Sequence, residues 1–276
     1  MKLTELLGEG KEILRRAGID EWELDAWYLL EYAGSYAKDE RFLHPGREVE
    51  PEHERHYREL LGERSRHVPL QHLTGVQDFM GFSFYVNEDV LIPRQDTEIL
   101  VEEAIRYIRP GMRVLDLCTG SGCILFSVLK LVPGVSGTGA DLSEKALRVA
   151  ERNRNRLKVC SGLLQSDLFE RVEGRYDCIL SNPPYIPSDV VDTLMEEVRD
   201  HEPRLALDGR EDGLYYYRKI TEQSPGYLEP GGWLFFEIGY DQAEQVRLLM
   251  EKEFTGIRVV KDLSGHDRVV YGRLKT

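Results

Sequence analysis

No run of apolar residues in this chain approaches the roughly twenty that a membrane-crossing helix needs, which excludes a helical membrane span. Cysteine is scarce: four residues, at 118, 123, 160 and 178, show no paired metal-ligand spacing, so a structural metal site and a disulfide framework are both disfavoured. Reduced core thiols in a cytoplasmic protein are expected. Basic charge is in deficit, with 36 Lys and Arg against 49 Asp and Glu and a net charge of −13. Binding to duplex nucleic acid depends on neutralising phosphates, so an acidic chain with only short basic runs is a poor candidate for it. The longest such run, Arg148 to Lys158, reads as the solvated face of a helix. Met1 to Glu5 leads into a charged amphipathic helix with no secretory signal pattern, and internal repeats and low-complexity tracts are absent. Two nucleotide signatures are missing as well. A Walker loop would need Gly-Lys-Ser/Thr, and a dinucleotide fingerprint would need glycine at position 125, which is Leu125, so ATP and NAD are both disfavoured.

What is present reads as an α/β protein in two parts. Residues 1–75 form a helical domain, in which Leu3, Leu6, Leu7, Ile13 and Leu14 recur at helical spacing. Asp20, three before Glu23, suggests a capping box opening the next helix, and a further helix is predicted from Glu52 to about Arg66. Residues 76–98 read as a β-hairpin linker, with Phe82, Phe84 and Val86 alternating before a break at Asn87-Glu88-Asp89 and the later Val90 and Ile92. Asp96 or Thr97 is the expected N-cap of a helix over Glu98 to Ile108. From Ile99 to residue 276 helices and strands alternate, which predicts a seven-stranded Rossmann-like domain whose edge strand runs antiparallel.

The chemistry concentrates in two stretches. Tyr176 to Ser181 reads as a buried strand, and Asn182-Pro183-Pro184-Tyr185 follows it. Proline has no N–H and a fixed φ, so two in succession hold the turn rigid and leave the Pro183 carbonyl without a ladder partner. That carbonyl and the Asn182 side-chain oxygen can each accept one proton of a planar NH₂ group, while Tyr185 can stack on it. Such a nitrogen is a weak nucleophile, and fixed acceptors both aim it and favour the positive charge it develops. A plain Asn-Pro turn would read the same way in isolation. About sixty residues earlier, however, Arg113 to Leu117 reads as a strand, Cys118-Thr119-Gly120-Ser121-Gly122 as a loop, and Cys123 to Leu129 as a helix. Asp141, followed by Leu142, ends the next strand, where a ribose diol would lie, and Asp167 ends the one after, where Leu168 and Phe169 could flank an adenine ring. Singly each acid reads as a cap or turn residue. Acids and glycines at the ends of successive βα units together describe an S-adenosylmethionine pocket, which needs no metal and no nucleophilic cysteine.

Asn-Pro-Pro-Tyr after a fourth strand resembles the S-adenosylmethionine-dependent methyltransferases that act on amide or exocyclic amine nitrogens. Pro69 to Gly75, Ile92 to Glu98, Ser181 to Ile186, and His201 to Leu207 with Asp212-Gly213-Leu214 narrow the resemblance to the HemK/PrmC family of release factor glutamine methyltransferases. The resemblance implies N5-methylation of the glutamine in the Gly-Gly-Gln loop of class I peptide chain release factors. It implies that the N-terminal domain recognises that protein, that Asp116 to Gly122, Asp141, Leu142, Asp167, Leu168 and Asn182 hold the cofactor, and that Asn182 to Tyr185 hold the glutamine. It also sets Arg94 beside the pocket as a substrate-binding residue. Cys118 stands where methyltransferases commonly have glycine, and Leu168 where many relatives carry an aromatic. No metal, no direct nucleic-acid contact and a monomer are expected. A nucleobase amine methyltransferase would use the same tetrapeptide, but with a basic groove. A non-catalytic relic would not be expected to keep both stretches intact.

Overall fold

The computed structural model describes residues 1–276 and divides into two compact units, Met1–Gly75 with Met195–His201, and Val76–Leu194 with Glu202–Thr276. The first unit is built on three amphipathic helices, Leu3–Arg16, Trp22–Gly34 and Pro51–Arg64, around Leu6, Leu14, Trp27, Leu30, Tyr57 and Leu61. The helix at Trp22 starts without the expected capping box: its N-cap is Glu21, and no side chain caps it. Segment 195–201, expected within the catalytic domain, packs with these helices instead. Arg64 explains why: its guanidinium is buried and donates to Asp25 at 2.8 Å, to Glu197 at 2.9 Å and to the Val68 carbonyl at 3.1 Å. Burial outweighs the guanidinium at Asp25 and holds its carboxyl above the usual range.

The second unit begins with a hairpin, β1 (Val76–Phe79) and β2 (Phe82–Tyr85), which turns at Met80-Gly81. The alternation read as far as Ile92 therefore overran the strand. Val86 and Val90 instead bury against Ala146 and Val149 of the helix Glu144–Leu157. The following helix is Gln95–Ala104 with Arg94 at its N-cap, so Asp96 and Thr97 lie inside its first turn.

Seven strands then form one sheet: β3 (Arg113–Leu117), β4 (Ser136–Asp141), β5 (Gly162–Gln165), β6 (Tyr176–Ser181), β7 (Leu228–Glu237), β8 (Phe254–Lys261) and β9 (Asp267–Leu274), in the order β5-β4-β3-β6-β7-β9-β8. Val114 to Leu117 and Cys178 to Ser181 are buried on both faces, the continuous pattern of central parallel strands. β9 alone runs antiparallel, inserted between β7 and β8, so the antiparallel strand is second from the edge and not at it. The chain lays down β3, β4 and β5 outward and then returns to place β6 on the other side of β3. Ligands in open α/β sheets bind at the carboxyl ends of strands beside such a reversal. No helix is long and apolar enough to cross a membrane.

Removing one partner of a buried ion pair leaves an uncompensated charge, whereas replacing both partners by apolar chains of similar volume leaves none. Arg64→Ala is therefore expected to destabilise the protein by about 3–5 kcal/mol, and the double variant Arg64→Met with Asp25→Leu by much less. Urea unfolding followed by circular dichroism checks the ordering.

Candidate functional site

At the end of β3 the chain enters its loop through Cys118, whose φ of +59° lies in the left-handed region. The loop is held from beneath. Asp116 is fully buried and accepts the Thr119 hydroxyl at 2.5 Å, and Thr119 N donates to the Ala140 carbonyl at 3.1 Å. Gly122, at φ +82°, is the N-cap of the helix Cys123–Leu131, and a Cβ there would meet the Phe126 ring at 2.2 Å, so only glycine fits. From β4, Asp141 Oδ2 accepts Gly120 N at 2.8 Å and Oδ1 accepts Ser143 N at 2.9 Å, which ties the first loop to the second. Asn153, fully buried, donates to the carbonyls of Ser121 and Tyr85, both at 2.9 Å, and joins the loop to the hairpin.

The segment after β6 is braced just as densely. Ser181 Oγ donates to the Leu117 carbonyl at 2.8 Å across the central strand pair. The Gln242 amide donates to the Tyr185 carbonyl at 2.9 Å, and its oxygen accepts Gly239 N at 3.0 Å. Ile186 N donates to Leu207 O at 3.0 Å, and Gly209 N returns to Ile186 O at 2.8 Å. Gly213 approaches so closely that a Cβ would stand 2.3 Å from the Tyr185 carbonyl oxygen. The stretch from 207 to 213 is thus a brace for Asn182 to Tyr185, a role its sequence did not disclose. The Pro183 carbonyl accepts no backbone hydrogen bond. Asn182 Nδ2 donates to Thr97 Oγ1 at 3.4 Å, which leaves its Oδ1 as the free acceptor.

Both segments meet at one cleft, open to solvent, with an empty volume of about 970 Å³. Its wall brings together Cys118, Thr119, Gly120, Ser121, Asp141, Leu142, Asp167, Leu168, Asn182 and Pro184. Other expected residues stand off the wall. Asp116 lies under the loop, bonded to Thr119, and Gly122 caps the helix behind it. Pro183 is buried. Tyr185 packs on the core, with its hydroxyl 3.4 Å from Glu237 Oε1. Arg94 pairs with the buried Glu202. Phe169, expected to flank a base, is buried and stacks on Tyr227 at 4.5 Å instead. The wall also includes Thr97, from the stretch after Arg94 that the family resemblance set beside the pocket, and Val90, Pro93, Ala206 and Tyr216, which were given no individual role from sequence.

Two carboxyl groups behind the wall are strongly perturbed. Burial pushes Asp116 up to about 7, against the opposing Thr119 hydroxyl and Leu125 N–H. Burial likewise pushes Glu237 up to about 7. The cleft also fits a nucleoside with a charged tail. Each Asp141 oxygen uses one lone pair on a backbone N–H and keeps another for a hydroxyl pair, Asp167 is exposed at the rim, and Leu142, Leu168 and Tyr216 offer apolar surface to a ring.

Comparisons with known proteins agree across the chain. The PrmC N-terminal domain family matches residues 5–75, and the methyltransferase small domain family matches residues 95–210. The chain is 41% identical over 256 residues to the release factor glutamine methyltransferase of Geobacter sulfurreducens, covering 92% of this chain and 88% of that one. To the enzyme of the same name from Caulobacter vibrioides it is 42% identical over 268 residues, covering 95% and 93%. Among solved structures, a 16S rRNA methyltransferase from T. thermophilus in complex with AdoMet and guanosine aligns with a TM-score of 0.53 at 16% identity, over 72% of this chain and 50% of that one. At that identity the likeness is one of fold.

A carboxyl whose folded pKa is raised contributes stability that is complete below its unfolded value, near 4, and is lost as the pH rises through the folded value. Asp116, raised from 3.8 to about 7, belongs to this class. Asp116→Asn is neutral at every pH, so its stability relative to wild type should improve between pH 5 and pH 8, by on the order of 4 kcal/mol at most. Urea titrations of both proteins across that range measure it; a difference that does not change with pH would mean the buried group is not titrating.

Proposed function

We propose, from the premise that this chain belongs to the release factor glutamine methyltransferase family, that Asn182, on the cleft wall, and the adjoining Pro183 carbonyl, which accepts no backbone hydrogen bond, hold the substrate glutamine amide. The chain is a methyltransferase, and its substrate is a peptide chain release factor. In this reading the acceptor is the glutamine of the Gly-Gly-Gln loop of class I factors, recognised with the help of the helical unit 1–75. The enzyme works in the cytoplasm as a monomer. Acidic bulk suits a basic protein partner and opposes phosphate backbones.

S-adenosylmethionine, when bound, supplies a methyl carbon already activated by its sulfonium. On this chain Asp141 would hold the ribose hydroxyls, Asp167 the adenine amino group, Leu142, Leu168 and Tyr216 the faces of the ring, and Cys118 to Ser121 the remainder of the molecule. Asn182 Oδ1 and the Pro183 carbonyl each accept one amide proton, which fixes the nitrogen in line and stabilises the positive charge as it develops. Pro184 shapes the wall beside them, while Tyr185 and Arg94 set the loop and its approach. The proton is released to water after transfer, because an N-alkylated, cationic amide is a strong acid. The observation that supports this reading above all is the presence of Asn182 on the same cleft wall as Asp141 and Asp167.

Incubation with labelled S-adenosylmethionine and, in turn, a release factor, its loop Gln→Ala variant and duplex DNA tests the substrate. Label should enter the first alone, and incorporation into DNA would reverse the assignment. Asn182→Ala should lower kcat by about 100-fold or more while leaving cofactor affinity nearly unchanged, because the lost acceptor acts mainly as charge develops. Single-turnover methylation alongside cofactor calorimetry checks both halves. Asp141→Ala should show the converse, with cofactor binding weakened first; wild-type affinity would remove Asp141 from the ribose site.

A further inference from the structure

Asn182 to Tyr185 runs between two other stretches of chain, and each of them is fastened to one end of it. On one side Thr97 Oγ1 accepts Asn182 Nδ2 at 3.4 Å, and Thr97 N donates to the Arg94 carbonyl at 3.1 Å in the first turn of the helix Gln95–Ala104. On the other side Ile186 N donates to the Leu207 carbonyl at 3.0 Å, at the end of a short helix, Arg204–Leu207, whose N-cap is Pro203. The two flanking stretches are in turn joined to each other, because Arg94 Nη2 donates to Glu202 Oε1 in an ion pair. The contacts close a circuit from Arg94 through Thr97, Asn182, Ile186, Leu207 and Glu202 back to Arg94. Both flanking stretches line the cleft, one through Pro93 and Thr97 and the other through Pro203, Leu205 and Ala206. Glu202 carried no role in the sequence.

We propose that Glu202 is a positioning residue which, through Arg94 and Thr97, holds the Asn182 amide with its oxygen free for the substrate. The inference rests on the reading that Asn182 accepts a proton of the substrate amide. The Glu202 side chain is 1% exposed and that of Arg94 42% exposed, so the carboxylate is the buried anchor and the guanidinium the arm that reaches it. A buried carboxylate is costly without a compensating cation, which keeps the arm in place. Proline stiffens the chain on both sides of this joint, at Pro93 before Arg94 and at Pro203 after Glu202, and again at Pro183 and Pro184. At 3.4 Å the Asn182 bond to Thr97 is too long to fix the amide by itself. It orients Asn182 only while the helical turn that carries Thr97 is held, and the ion pair at the N-cap of that helix is what holds it. With the joint broken, the turn is free to shift and the acceptor loses its aim at the amide nitrogen.

The effect belongs in kcat, because Asp141, Asp167 and the loop Cys118 to Gly122 lie outside the circuit. Arg94→Ala should lower kcat by about tenfold, and Glu202→Gln, which keeps the shape and one acceptor but gives up the charge, by about threefold. In both, cofactor affinity and the KM for the release factor should stay within about twofold of wild type. Glu202→Gln leaves no uncompensated buried charge, which covers the case in which Arg94→Ala folds poorly. Because the pair acts through Asn182, either change made in the Asn182→Ala background should cost nothing further, whereas a general loosening of the structure would add its loss in full. Steady-state and single-turnover methylation of a release factor by the full chain, alongside cofactor calorimetry, measure every variant. Wild-type kcat in both single variants overturns the inference, as does an additive loss in the double variants or a cofactor affinity that falls in step with kcat. Full turnover by Asn182→Ala would instead overturn the underlying reading, so the two failures are distinguishable.

Discussion

The pairing of β3 with β6 is the constraint on which the rest of the second unit depends. Leu117 stands opposite Ser181 in register, and the Ser181 hydroxyl closes on the Leu117 carbonyl at 2.8 Å. Because the strands are parallel, their carboxyl ends coincide, and the loops that leave them must begin side by side. One loop continues as Cys118 to Gly122 and the other as Asn182 to Tyr185. A one-residue slip in this register would turn the side chains of one strand to the opposite face and carry Asn182 away from the cleft. Strands buried on both faces by Val114, Leu115, Ile179 and Leu180 make such a slip costly. The geometry of the site is thus inherited from the packing of the central sheet.

Rigid placement then needs support behind the loops, and most of it comes from far away in sequence. Gln242 clamps the Tyr185 carbonyl, the backbone of 207 to 209 pairs with Ile186, Asp141 anchors Gly120, and Asn153 anchors Ser121. Each contact satisfies a backbone group that a turn would otherwise leave unpaired, which is why irregular chain can be buried here. A transfer reaction with little covalent work for the protein depends on alignment held to fractions of an ångström, and such alignment requires an outer layer of this kind.

The sequence was most informative where local rules decide. Val114 to Leu117 and Tyr176 to Ser181 announced buried strands through continuous apolar character, and Gly120 and Gly122 announced a loop through conformational need. Asp141 and Asp167 were legible as strand-end acids because a βα unit sets their spacing. What escaped depended on distant partners. The Asp116 motif pointed to the ligand, yet the side chain turned inward because Thr119 offers a donor beneath the loop. Phe169 looked available beside Asp167 but found Tyr227, 58 residues on. Asp20 lost its capping role because the helix begins at Trp22, and the hairpin turned at Met80-Gly81 before the apolar alternation ended. Segment 195–201 carries no signal that assigns it to the helical unit, since its ties are a salt bridge from Glu197 to Arg64, 133 residues earlier, and contacts from Glu196 to His67 and from His201 to the Arg66 carbonyl.

Cys118 and Leu168 share one further property. Both are non-glycine residues at positive φ, +59° and +48°, and both line the cleft. Glycine would adopt either conformation without the steric cost of on the order of 1 kcal/mol that a Cβ brings in the left-handed region. A side chain retained at that cost indicates that the site uses it. Leu168 contributes apolar surface to the cleft wall, which glycine could not supply. For Cys118 burial holds the thiol well above its ordinary pKa, so it remains a small, uncharged, unreactive group on the wall. Both positions therefore add shape to the cleft, while its charge chemistry is left to the carboxylates and carbonyls around them.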